Sequence, residues 1–163
     1  MVFQGEVLSI GALLERAQTA PGAVPRTRVG VRHTAAGNAT LAAALLSAGD
    51  DLEVGWRFGI LQTLDDYTST LRRGGVQLAA EVFATEPAPT GSVQLDAAFA
   101  ALADHLAERD GWTPPAWALD PARRAEGWFP AVPAIFRDEA KQDSPRAFRQ
   151  RGIFITGRSL NRA

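Results

Sequence analysis

Residues 92–111, SVQLDAAFAALADHLAERDG, constrain the fold more than any other stretch. Leu95, Phe99, Leu102 and Leu106 recur at helical spacing. Ser92 stands where a helix cap belongs, and Gly111 where a helix stops. A helix so marked, with alanines between its large apolar residues, sets the architecture as helical.

Other segments carry the same period. SIGALLERAQ (9–18) reads as a helix capped by Ser9, and TAPGAVP (19–25) breaks it. AAGN (35–38) reads as a turn before a helix over 40–49, with Thr40 as cap, Leu41, Leu45 and Leu46 inward, and Gly49 as stop. DDLEVGW (50–56) suggests an extended piece or a linker. The 57–73 segment spaces Phe58, Leu61, Leu64, Thr68 and Leu71 along one stripe and stops at Gly74–Gly75; a shorter helix covers 76–86, and PAPTG (87–91) turns the chain.

From Trp112 onward, Trp112, Trp117, Trp128 and Phe129 lie among five prolines. Each proline lacks an amide donor, so this segment wraps the bundle with its aromatics as anchors. Helices follow over 134–142 and 144–152, the latter with Ser144 as cap and Pro145 at its first position. IFI (153–155) then gives a short strand. The expected fold is mainly α, a helical bundle with a short C-terminal strand. Phe148, Ile153 and Phe154 are expected to dock on it, with Trp117 and Trp128 as neighbours.

At 163 residues and 46% hydrophobic, the chain suits one compact domain, or one with a small appendage. It has no cysteine, which excludes disulfides, thiolate metal sites and a cysteine nucleophile and fits a reducing cytoplasm. The opening MVFQGEVLSIGALLERAQ has neither the basic cluster nor the unbroken apolar run of a signal peptide or membrane span. The expected location is cytoplasmic, without membrane contact. Net charge is −1 overall, but residues 1–49 carry +2, residues 50–110 carry −7 and residues 111–163 carry +4. The simplest account is internal: basic ends fold back on an acidic middle.

Reaction chemistry finds little support. The only histidines are His33 and His105, and His105 lies between Leu102 and Leu106 at the edge of the apolar stripe. Asp65 and Asp66 are adjacent on a helix, their side chains about 100° apart, so they read as a solvated face rather than a chelating pair. TGSVQLD (90–96) is similar to the Gly-Ser opening of nucleotidyltransferase sites, but only Asp96 follows, and a turn plus a helix cap explains it. Phosphate-cradling glycine motifs are absent. No catalytic residue, metal or cofactor is expected; a small enzyme using Asp96, Asp104 or His105 is a distant third reading.

Two stretches resemble known proteins. VPRTRVGVRHTAAGNATLAAALLSAGDDLEV (24–54) resembles the second part of XRE-type (lambda-repressor-like) helix-turn-helix domains. Val24, Arg26 and Val29 match recognition-helix positions; Asn38, Thr40, Leu41, Leu45 and Gly49 match the turn and last helix. IGALLERAQTAPG resembles the family's first helix, and residues 1–23 leave room for one helix where the family has two. The unit therefore reads as shortened, and Gly30 within the recognition helix costs about 1 kcal/mol relative to Ala. Residues 57–163 resemble the helical C-terminal domain fused behind such units in actinobacterial regulators. The matching points include the 87–91 turn, Ala-Leu-Ala-x-His-Leu-Ala (101–107), P-x-W (115–117), Trp128–Phe129 and P-x-x-F-x-x-R-G-[IV]-F (145–154).

The resemblance implies a shortened helix-turn-helix-like region over 1–50 and a partner-binding helical domain over 51–163. It implies a non-enzymatic transcriptional regulator or antitoxin-like protein. Its partner would be a nucleotidyltransferase-like toxin, as in a toxin–antitoxin pair, and weak DNA contact would come from Arg26, Arg28 and Arg32. A homodimer is expected, because half-sites are usually read by symmetric pairs. Partner contact is assigned to Arg146, Arg149 and Arg151 of the basic tail, which docking of Phe148 leaves at the rim. The alternative is a pure protein-interaction module that has lost DNA binding.

Overall fold

The computed structural model describes residues 9–12 and 30–161. Within them the chain is mainly helical. The main elements are α1 (Ala35–Ser47), α2 (Leu52–Gly55), a π-helical turn (Trp56–Leu61), α3 (Gln62–Ala80), α4 (Val93–Asp110), α5 (Arg137–Asp143) and α6 (Arg146–Arg149). Three short 3-10 turns, Glu81–Phe83, Ala116–Leu119 and Ala134–Phe136, lie among the later elements.

The 92–111 segment forms as its punctuation dictates. Ser92 Oγ accepts from Leu95 N, and Gly111 closes α4 in the left-handed conformation. Burial exceeds one stripe, however: of residues 95–107 only Asp96 and His105 escape full burial. A helix apolar nearly all round belongs in the centre of a bundle. The alanines let neighbours close in on every side. Asp96 accepts from both the amide and the hydroxyl of Thr90, at 2.9 and 2.7 Å, fixing the turn ahead of the helix.

Several expectations shift in register. AAGN is not a turn but the first turn of α1, capped by Thr34, whose hydroxyl accepts from Gly37 N at 3.1 Å. Leu41 is consequently exposed, while Ala35, Asn38, Ala39 and Ala42 face inward. Residues 52–56 are helical rather than extended, with the Asp51 carboxylate accepting from Val54 N. Across 56–71 the inward stripe is Trp56, Gly59, Ile60, Thr63, Leu64, Tyr67 and Thr70, and Phe58 points out. Two buried threonines explain the difference. Thr63 and Thr70 each donate to the carbonyl four residues back, at 2.7 Å, so their hydroxyls are satisfied inside the core.

Gly59 is the point of closest approach. A Cβ there would lie 3.2 Å from both Ala42 Cβ and Phe99 Cζ, so glycine lets the π-helical turn seat between α1 and α4 without displacing either neighbour. Near Gly74–Gly75 helix α3 breaks as expected: Gly75 takes φ 77°, ψ −177°. Ala35, Ala39 and Ala42 belong to the same hydrophobic cluster as α3, α4 and the C-terminal aromatics. The side of α1 they form, although it lies before residue 50, is therefore built into the body that follows.

The aromatics anchor the wrap. Trp117 Nε1 donates to the Phe83 carbonyl and Trp112 Nε1 to the Tyr67 hydroxyl, while Trp56 meets Trp128 and Phe148 edge-on. Phe148 and Ile153 are buried and Phe154 lies against Phe129, so the tail closes the core, with Trp128 beside it. The IFI strand is reduced to a single parallel bridge between Trp128 and Ile153, and the described residues contain no sheet. Ser144 caps no helix; its hydroxyl is spent on the Ala140 carbonyl and the Ile155 backbone.

Of the 9–18 helix only residues 9–12 are described. Residues 10–12 are helical, and Ser9 Oγ accepts from Ala12 N. No helix among the described residues is long and apolar enough to cross a membrane.

Candidate functional site

The basic tail turns back on the acidic middle. Asp104, buried on α4, accepts from Arg151 Nη1 at 2.9 Å through one oxygen and from Arg146 Nη2 at 2.9 Å through the other. Arg146 also reaches Glu108, and Arg123 pairs with Glu86 while lying over the Trp117 ring. The expected internal pairing of 111–163 with 50–110 is thus built from named ion pairs.

Placement of the three tail arginines divides accordingly. Arg151 is not on the rim: it is 8% exposed, and its guanidinium also donates to the Ala147 and Ala118 carbonyls. The physical reason is that Phe148 and Ile153 draw the intervening backbone into the core, carrying Arg151 against Asp104. Arg146 is half-exposed but already paired. Arg149 is exposed, with one long contact to the Gln142 carbonyl at 3.4 Å, and stands open to solvent.

Arg26 and Arg28 lie outside the described residues. Arg32 is exposed and borders a hollow of about 230 Å³ with His33, Asp66 and Arg73. Asp66 is no solvated carboxylate: it accepts from Asn38 Nδ2 at 2.8 Å and from Gln62 Nε2 at 3.1 Å. His105 packs edge-on against Phe148, and burial, then the Arg109 charge, hold its pKa below the ordinary value. Burial, then the hydrogen bond to Asp110, raise the Tyr67 phenol well above its usual range. Arg109 in turn holds the Asp110 carboxyl below the usual carboxylate range. Among the described residues no group of three or more metal-ligating side chains converges.

A different surface stands out. The outer face of the π-helical turn borders an open groove of about 440 Å³. Val54, Trp56, Phe58, Leu61 and Ala131 supply its apolar lining. Phe58 is 42% exposed. Ala131, at φ 51°, is the one described non-glycine residue in the left-handed region, and it also borders the neighbouring hollow with Pro133 and Phe136. Phe136 is exposed, and Ile135, next in sequence to it, is 82% exposed. π-Helical turns occur disproportionately at functional sites, and clustered exposed apolar side chains mark interaction surfaces.

Sequence reasoning missed this surface because it assigned Phe58 to the core; Leu61 does pack against the core while bordering the groove. A signal was present. Residues 56–71 carry two apolar stripes, Trp56–Ile60–Tyr67 and Phe58–Leu61, that cannot both face fully inward on one helix. Compared with protein-family models, curated proteins and solved structures, the chain matches none.

Proposed function

We propose that this chain is a non-enzymatic, antitoxin-like regulator that acts by binding a protein partner through its helical body. The observation that carries this reading is the pair of hollows that meet at Ala131, one bordered by Phe58 and the other by Phe136, both exposed aromatic side chains. Charged residues border them (Asp51, Glu53, Arg57, Glu139 and Arg158), but among the described residues no group of three or more metal-ligating side chains converges. The likeness of residues 57–163 to the helical domain of helix-turn-helix regulators supports a nucleotidyltransferase-like toxin as the partner. The mechanism would be occlusion, with the docked body covering the partner's cleft. Weak DNA contact from Arg26, Arg28 and Arg32, and pairing of two copies on half-sites, complete this reading.

The experiment compares tagged wild type with Phe58→Ser in pull-downs from the native host. A partner retained by wild type and lost with Phe58→Ser supports the reading; equal retention contradicts it.

A second reading, an interaction module without DNA binding, is favoured by Asn38. Its resemblance position is the turn after the recognition helix, yet here it lies within α1 and its amide donates to Thr63 and Asp66. Duplex DNA titrated at several salt concentrations separates the two. The regulator requires an affinity and a salt slope that Arg28→Ala reduces.

A further inference from the structure

We infer that the groove over the π-helical turn receives a partner segment in which an apolar side chain is flanked by Lys or Arg. This deepens the partner-binding reading and rests on it.

The apolar half of the inference comes from the groove lining. Phe58 presents its ring outward from a turn in which Trp56, Gly59 and Ile60 are buried in the core. Gly59 seats that turn closely against Ala42 and Phe99, where an added Cβ would lie 3.2 Å from each. Ala131, which also lines the groove, holds a backbone conformation that L-residues with a Cβ rarely adopt. A non-glycine residue held there is kept by its surroundings, and such positions cluster at ligand-binding sites. The lining residues are therefore held before a ligand arrives, which reduces the ordering cost of binding. Their apolar character suits an apolar side chain.

The charge half comes from the rim. Asp50, Asp51 and Glu53 lie at the start of α2, and Asp51 and Glu53 border the groove. Asp51 is committed to capping α2. Asp50 and Glu53 are exposed and form no ion pair among the described residues. The cation bordering the groove, Arg57, lies over the Phe58 ring at 5.6 Å from its centroid. The rim is net acidic. The apolar ledge beyond Ala131 carries one acid, Glu139, and one base, Arg158, which cancel. A segment crossing the groove thus meets carboxylates at the α2 end and apolar surface at the Ala131 end. Complementary charge sets that orientation and favours encounter with cationic partners. An acidic peptide, a nucleic acid and an anionic membrane surface all carry the rim's own sign and are disfavoured there.

The test is a selection from a random displayed-peptide library on the immobilised full chain. Enriched peptides are then synthesised, and their affinity is measured by fluorescence anisotropy for wild type, Phe58→Ser and Glu53→Lys. Both positions are exposed, so thermal unfolding of the variants should match wild type. The expected result is enrichment of peptides with an apolar residue beside Lys or Arg, each binding at least about tenfold more weakly to either variant. Acidic peptides that still lose affinity on Phe58→Ser would leave the groove as a binding surface and overturn the basic partner. Peptides bound equally by wild type and Phe58→Ser, or no enriched peptide at all, would overturn the groove and the partner-binding reading built on it.

Discussion

Arg151 Nη1 donates to Asp104 Oδ2 across 2.9 Å, with both side chains withdrawn from solvent, and the same guanidinium holds the Ala118 and Ala147 carbonyls. One side chain thereby ties together the central helix, the proline-rich wrap and the closing helix. A buried ion pair is costly to leave half-made, because its remaining partner has already lost its water. The exposed Arg146, on the other oxygen of Asp104, has no such leverage.

Asp104→Asn is therefore expected to lower unfolding free energy by about 3 kcal/mol or more, whereas Arg146→Ala costs about 1 kcal/mol or less. Urea unfolding of both variants checks the difference. Equal losses would show that the buried pair does not anchor the tail.

The seat of the π-helical turn predicts a second loss. Gly59→Val places side-chain atoms against Ala42 and Phe99, both in contact already at Cβ distance. Overpacking of this kind costs about 1–3 kcal/mol. Thermal unfolding measures it, and a variant as stable as wild type would mean that α1 and α4 stand further apart than described.

Burial makes the His105 ring easier to keep neutral in the fold, so its pKa falls below the ordinary 6.5. The unfolded chain then binds the proton more readily. That contribution is neutral well above pH 6.5, becomes destabilising as pH falls below it, and levels off beneath the folded pKa. His105→Gln should flatten this part of the stability–pH curve. A wild-type curve that the substitution leaves unchanged would contradict the assignment.

At the opposite end of the scale, Tyr67 remains a phenol in the fold when an exposed tyrosine would ionise. Its raised pKa gives stability that is fully present below pH 10 and lost as pH rises from there towards the folded value. Tyr67→Phe should retain more of its own stability between pH 10 and 11 than wild type does, as read by circular dichroism. Parallel losses would contradict the prediction.

How legible was this fold in the chain? Helix α4 could be read almost to the residue, because cap, period and stop agree and Ser92 and Gly111 act locally. Local signals also gave the break at Gly74–Gly75 and the docking of Phe148. The inward face of residues 56–71 could not be read from hydrophobicity, because Thr63 and Thr70 bury hydroxyls that bond their own helix while Phe58 faces out. Ser144 and Thr40 looked like caps, yet tertiary contacts and Thr34 displaced them. Arg151 looked like a surface cation; only the spatial nearness of Asp104, far away in sequence, makes its burial affordable. The groove was hidden for the same reason, since its apolar lining comes from residues 54–61 and 131, which no local pattern connects.

The central claim is that a protein partner docks across Phe58 and Ala131. Hydrogen–deuterium exchange on the chain, alone and in complex with the partner captured from its native host, tests that most directly. The account predicts slowed exchange concentrated at residues 51–61 and 131–136 in the complex. Protection confined to other surfaces, such as the region around Arg149, with these two segments unchanged, would contradict it.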